Sequence, residues 1–115
     1  MALILSSSFS INMLPAGSAT YAGFIPIELE EARSLIAEFG EVENIVNPRH
    51  ESTAVLSEHL CGKPAQGGFL SLEGGQKATI LVMLPPREFM NRSGTEIEIK
   101  DLESVQFFQV DINLE

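Results

Sequence analysis

The sequence predicts one α/β domain, residues 1–115, with a central mixed β-sheet of about five strands and two main helices. Three observations carry this prediction. Short apolar runs at Ala2–Leu5 and Lys77–Leu84 read as strands buried on both faces. Two stretches between them carry apolar residues at helical spacing. A length of 115 residues is near the commonest size for a single core.

Taken in order, Ala2–Leu5 is a central strand. The mixed run from Ser6 to Leu14 is a polar loop that Pro15, Gly17 and Ser18 close. Ala19 to Ile25 forms a second strand, broken by Pro26. From Ile27 to Phe39, residues Leu29, Ala32, Leu35, Ile36 and Phe39 share one helix side. Glu28, Glu30, Glu31 and Glu38 take the solvated side, and Gly40 is the C-cap.

Glu43–Val46 is a short extended piece. Asn47-Pro48 opens a second helix, an N-cap followed by proline at the first helical position. That helix runs to about Cys61, with Val55, Leu56 and Leu60 inside and Gly62 as its stop. Phe69–Leu72 is a short strand and Gly74-Gly75 a turn. Lys77–Leu84 is the strongest buried-strand signal, stopped by Pro85-Pro86. Thr95–Ile99 alternates as an edge strand, and Val105–Ile112 alternates again to close the sheet.

Charge narrows the function. Sixteen acidic and seven basic residues give a net charge of −9. Long DNA or RNA needs a basic stripe that releases counterions, and none is visible. A small anion remains compatible, since a helix N-terminus and a few basic groups hold one locally. The apolar start, Met1–Leu5, lacks a basic region and is too short to span a membrane, so it reads as a strand rather than a targeting signal. The single cysteine, Cys61, gives no disulfide framework and fits a reducing, cytoplasmic setting, where it reads as a small buried hydrophobe at a helix end.

No metal-ligand spacing, phosphate-binding glycine loop or nucleophile elbow is present. No cofactor is expected. His50 is the residue of chemical interest. It falls in Asn47-Pro48-Arg49-His50-Glu51-Ser52-Thr53, at the first turn of the second helix, where free amides point outward and an anion binds. A histidine beside a bound phosphodiester is suited to give its proton to the leaving oxygen. A capping or surface histidine is the plain alternative. His59 reads as packing. Ser7, Ser10 and Asn12 offer polar groups in the first loop. Arg87 and Glu88 form a charged pair at the end of the long strand, where functional loops often sit.

These pieces line up with one family. The run from Leu5 to Leu14, Leu-Ser-Ser-Ser-Phe-Ser-Ile-Asn-Met-Leu, resembles the N-terminal signature of the viral type III anti-CRISPR ring nucleases and their cellular relatives. His50-Glu51-Ser52-Thr53 followed by Leu60-Cys61-Gly62 resembles that family's histidine-helix segment. The order downstream is also similar, ending in Phe107-Phe108-Gln109-Val110.

The resemblance implies a homodimer that encloses cyclic tetra-adenylate and cuts it without metal. A ribose 2′-hydroxyl attacks the neighbouring phosphate and leaves a 2′,3′-cyclic phosphate. His50 matches the histidine that protonates the departing 5′-oxygen, and Ser10 and Asn12 match ligand-holding residues. Ser7 stands where many members have asparagine. Arg49 and Thr53 flank the same site, and Arg87 and Glu88 match a catalytic arginine and glutamate. Two departures stand out: Phe69 occupies the position of a family arginine, and Glu88 follows Arg87 directly rather than after two further residues. The rival expectations are a non-catalytic sponge or sensor for a cyclic nucleotide, and an interaction module that keeps only the fold.

Overall fold

The computed structural model describes residues 3–8, 19–21, 25–68 and 77–114. Its strands are β1 (Leu3–Ser6), β2 (Ala19–Tyr21), β3 (Ile25–Ile27), β4 (Val42–Asn44), β5 (Lys77–Leu84) and β6 (Gln106–Leu114). Two helices, α1 (Leu29–Phe39) and α2 (Glu51–Cys61), lie between β3 and β5. The sheet order is β2-β6-β5-β1-β4, with β3 also pairing β6. Because β2 and β3 pair successive parts of one strand, the mixed sheet is five strands wide, as the sequence predicts.

β1 lies between β4 and β5 and runs parallel to both, with Leu5 opposite Asn44 on one side and Leu81 on the other. β6 runs antiparallel to β5, β2 and β3. Every residue of β1 is buried, which is why its run shows no polar alternation. Successive side chains alternate faces. Leu3, Leu5, Leu81, Met83 and Phe107 face both helices and join Ala32, Leu56 and Leu60 in the main core. Ile4, Ile80, Val82, Val110 and Ile112 form a second apolar cluster on the opposite face.

Both helices end where glycine permits a left-handed turn, Gly40 and Gly62, each with φ of 73°. Four details differ from the sequence reading. Within Ala19–Ile25 the described strand residues are those of β2 and the first of β3, and Pro26 lies inside β3 rather than breaking it. β3 has β6 as its described partner, and a proline is tolerated on such an outer strand because its missing N–H is not needed there. α2 begins at Glu51 rather than just after Asn47. Asn47 instead closes a turn: its carbonyl accepts from the His50 N–H at 3.1 Å and its side chain accepts from the Arg49 N–H at 3.0 Å.

Thr95–Ile99 is not a strand. Residues 87–104 form a strap of three short 3₁₀ segments, Arg87–Asn91, Gly94–Glu96 and Ile99–Ser104. Phe89, Ile97 and Leu102 are buried beneath it at a spacing that fits neither a strand nor one continuous helix. The strap packs along α2. Finally, His59 is exposed, at the flank of the buried stripe of α2 rather than packed within it. The expected strand at Phe69–Leu72 and turn at Gly74-Gly75 lie outside the described residues. No described helix is long and apolar enough to cross a membrane.

Candidate functional site

The three parallel strands end at one edge of the sheet. In open α/β sheets, ligands bind in the crevice beyond the carboxyl ends of the strands. The segment after each parallel strand carries sequence-predicted residues. Ser7 follows β1, Arg49 and His50 follow β4, and Arg87 and Glu88 follow β5. Ser10, Asn12 and Phe69 lie outside the described residues.

Two anchors hold the His50 turn. Buried Asn44, at the end of β4, donates from Nδ2 to Ser57 Oγ at 2.9 Å and to the Lys63 carbonyl at 3.0 Å, and its Oδ1 accepts from the Val46 N–H. This ties β4 to the middle of α2 and to the segment after it. That segment returns along β4, with Gln66 N–H donating to the Asn44 carbonyl and Gly67 N–H to the Val46 carbonyl. The chain between Val46 and α2 is therefore short and fixed at both ends, and His50 is the residue from which α2 starts.

His50 takes the N-cap position, but its side chain does not cap the helix. Among the described residues, the first-turn amides of α2 thus have no side-chain acceptor, and they carry the positive end of the helix dipole. α1 is the contrast. There Glu28 and Glu31 close the N-terminus with a capping box. Among the described residues, no carboxylate lies within ion-pair distance of Arg49 or His50.

A pocket of about 270 Å³ opens at this turn, lined by Arg49, His50, Glu51, Ser52, Thr53, Met90 and Arg92. The structure thus brings together Arg49, His50 and Thr53 from the sequence reading. Arg87 and Glu88 are exposed at the start of the strap and do not line it, nor does Ser7. Thr53 is buried, while Arg49 and His50 are exposed.

Arg92 and Met90 were not identified from sequence. They lie just before Thr95–Ile99, and an edge strand there gives no reason for this segment to approach α2. The Arg92 guanidinium lies 4.3 Å from the Phe89 ring centroid and 3.6 Å from Asp101 Oδ1. An N···O separation of 3.6 Å is too long for a strong hydrogen bond. Arginine carries five N–H donors, so this contact leaves most of them for a ligand.

A larger groove of about 540 Å³ lies between Pro26–Leu29 and Val105–Phe108. Glu28 and Glu103 stand on its walls, which is the wrong sign for an anion. The α2 pocket, with two arginines, a histidine and a helix N-terminus, has the right sign. Among the described residues, no group of three histidine, cysteine or acidic side chains is placed to hold a metal ion.

Fold and site together define a class: a small α/β protein with a cationic pocket at the carboxyl edge of a mixed sheet. Its backbone is similar to B116 of Sulfolobus turreted icosahedral virus, with a TM-score of 0.65 at 23% identity, covering 96% of this chain and 98% of that one. At that identity the likeness is one of fold. No protein-family model and no curated protein sequence matches the chain.

Proposed function

We propose that this protein is a ring nuclease: it binds a cyclic oligoadenylate, with cyclic tetra-adenylate as the first candidate, and cleaves it by metal-independent transesterification. The observation that supports this reading best is the start of α2, where His50 makes no side-chain cap and lines one pocket with Arg49 and Arg92. Anionic phosphate suits all three features, the free amides and both guanidinium groups.

The reaction needs few parts. The ribose 2′-oxygen attacks the adjacent phosphorus and the P–O5′ bond breaks. The 2′-hydroxyl proton leaves to solvent, and His50 gives a proton to the departing 5′-oxygen. The product ends in a 2′,3′-cyclic phosphate. The nucleophile belongs to the substrate, so the protein's work is to align three atoms, stabilise phosphate charge and supply a proton. General-acid help is typically worth about 10² to 10⁴ in rate. On this reading Arg92 and Arg49 hold phosphate, and Thr53 shapes the floor. Ser7, Ser10 and Asn12 contact other parts of the ring. Arg87 and Glu88, at the carboxyl end of β5, meet a second phosphate or a second copy of the chain.

A pocket of about 270 Å³ is small. Pockets that enclose a whole drug-sized ligand run from roughly 300 to 1,000 Å³. The site therefore takes one phosphodiester and its sugar, and the reading calls for a homodimer whose two pockets share a two-fold symmetric ring. Such an enzyme works in the cytoplasm, where its messenger is made.

The exclusion of Arg87 and Glu88 from the pocket favours one rival, a binder that holds the ring without cutting it. Incubation with cyclic tri-, tetra- and hexa-adenylate in excess EDTA separates the two. Cleavage of one ring to a 2′,3′-cyclic phosphate supports the nuclease. Tight binding with no cleavage supports the sponge. Neither binding nor cleavage removes both.

A further inference from the structure

Arg92 lies on the strap, whereas His50 lies at the start of α2, so their common pocket depends on how the strap is seated. All three of its 3₁₀ segments pack on α2, and among the described residues one hydrogen bond ties the strap to the residue that follows His50. The Gly94 N–H donates to Glu51 Oε2 at 3.2 Å, across 43 residues of sequence. At the same point the strap backbone lies so near α2 that a Cβ on Gly94 would come within 2.9 Å of Val55 Cγ2. Real Cβ atoms essentially never approach that closely. Any side chain at position 94 forces the strap or Val55 to move.

Both halves of this contact adjoin site residues. Glu51 follows His50 directly, and Gly94 follows Arg92 by two residues. Between Arg92 and Gly94, Ser93 is held by Thr95 Oγ1 at 2.9 Å and by Glu96. The Arg92 N–H donates to the Phe89 carbonyl at 3.0 Å. The stretches Phe89–Arg92 and Ser93–Glu96 are thus each braced, and they join directly at the Arg92–Ser93 peptide link, so a displacement at Gly94 acts on Arg92 across only two residues of chain.

Resting on the ring-nuclease reading of the pocket, we infer that Glu51 and Gly94 form a clasp whose role is to position Arg92 against His50 for phosphate binding. Glu51 is a positioning residue. It lines the pocket, but its carboxylate is aimed at the strap amide, which spends its charge away from the phosphate. Gly94 is the other half, required for lack of a side chain. His50 is held separately by the Asn47 turn and does not depend on the clasp.

This separation fixes the kinetic signature. A displaced Arg92 weakens the hold on phosphate in ground and transition states alike, so KM rises while kcat stays near the parent's. Glu51→Ala is expected to raise KM and the dissociation constant for cyclic tetra-adenylate roughly tenfold, the range of a hydrogen bond to a charged group. Glu51→Gln keeps an acceptor oxygen and is expected to bind as the parent does. Gly94→Ala is expected to match Glu51→Ala although it changes no charge. Adding Val55→Ala removes the obstructing methyl and is expected to restore affinity to Gly94→Ala.

A purely structural role predicts something else: a lower melting temperature with KM unmoved, and no rescue by Val55→Ala. That result overturns the inference, as does a Glu51→Ala protein that binds as tightly as the parent. A parent that binds none of the rings overturns the reading of the pocket and the clasp with it. A parent that binds while both clasp variants bind equally well overturns the clasp alone.

Discussion

His50 combines an exposed side chain, a fixed backbone and an uncapped helix start. In the proposed reaction its proton goes to the leaving oxygen, which gains charge only as the bond breaks, so the contribution proposed for it belongs to the transition state. Arg92 differs, because phosphate is charged before and after. Arg92→Ala is expected to weaken ring binding roughly tenfold or more, the scale of a charge-assisted pair. Arg87→Ala, outside the pocket, should cost less, and calorimetric titration of both variants ranks them. Two further residues test the scaffold beneath. Asn44 is buried, and its amide bonds to Ser57 and Cys61 of α2, to the Lys63 carbonyl and to the Val46 N–H. Asn44→Ala should destabilise the fold by about 1–3 kcal/mol in urea unfolding, because the groups left behind stay buried. Burial pushes the Cys61 thiol above its ordinary value, outweighing the hydrogen bonds at its sulfur. The folded state therefore keeps this proton at alkaline pH where the unfolded chain has lost it. Its contribution to stability is present at neutral pH and is lost as pH rises through the folded value. Alkylation of Cys61 by iodoacetamide should accordingly have a midpoint at higher pH than alkylation of a free cysteine peptide.

At the scale of elements, legibility in the sequence followed how strongly one physical rule dominates. Lys77–Leu84 was read with its true ends because an unbroken apolar run bounded by two prolines has few other solutions. α1 was read from spacing and Gly40, and the end of α2 from Gly62. The start of α2 was misread because Asn-Pro opens turns as readily as helices, and three residues of turn intervene. The strap was missed for a different reason. Its buried residues, Phe89, Ile97 and Leu102, have no regular period, and their placement is set by the surface of α2 rather than by local preference. That is also why half of the pocket was missed: His50 was found from its own neighbours, whereas Arg92 reaches it only through packing. β1 and β5, buried on both faces at the sheet centre, should show the slowest amide exchange in the molecule. Amides in the strap should exchange faster, since its 3₁₀ segments have poorer hydrogen-bond geometry.

For the whole molecule, the net charge of −9 and the cationic pocket are complementary facts. An acidic surface discourages long nucleic acid, while a local group of arginine, histidine and helix amides has the sign that the proposed compact anion requires. The sheet places that group at the edge where its three parallel strands end, and the strap completes it from the far side. If a symmetric ring is the ligand, two chains share it, and sedimentation should give a dimer that cyclic tetra-adenylate tightens. The most direct test of the central claim compares the parent with His50→Ala on saturating cyclic tetra-adenylate in EDTA, following single-turnover cleavage and ring affinity together. The account predicts cleavage by the parent to a 2′,3′-cyclic phosphate, loss of about 10²-fold or more in rate for the variant, and nearly equal affinities. Equal cleavage rates for the two proteins, or a parent that leaves the ring intact, would contradict it.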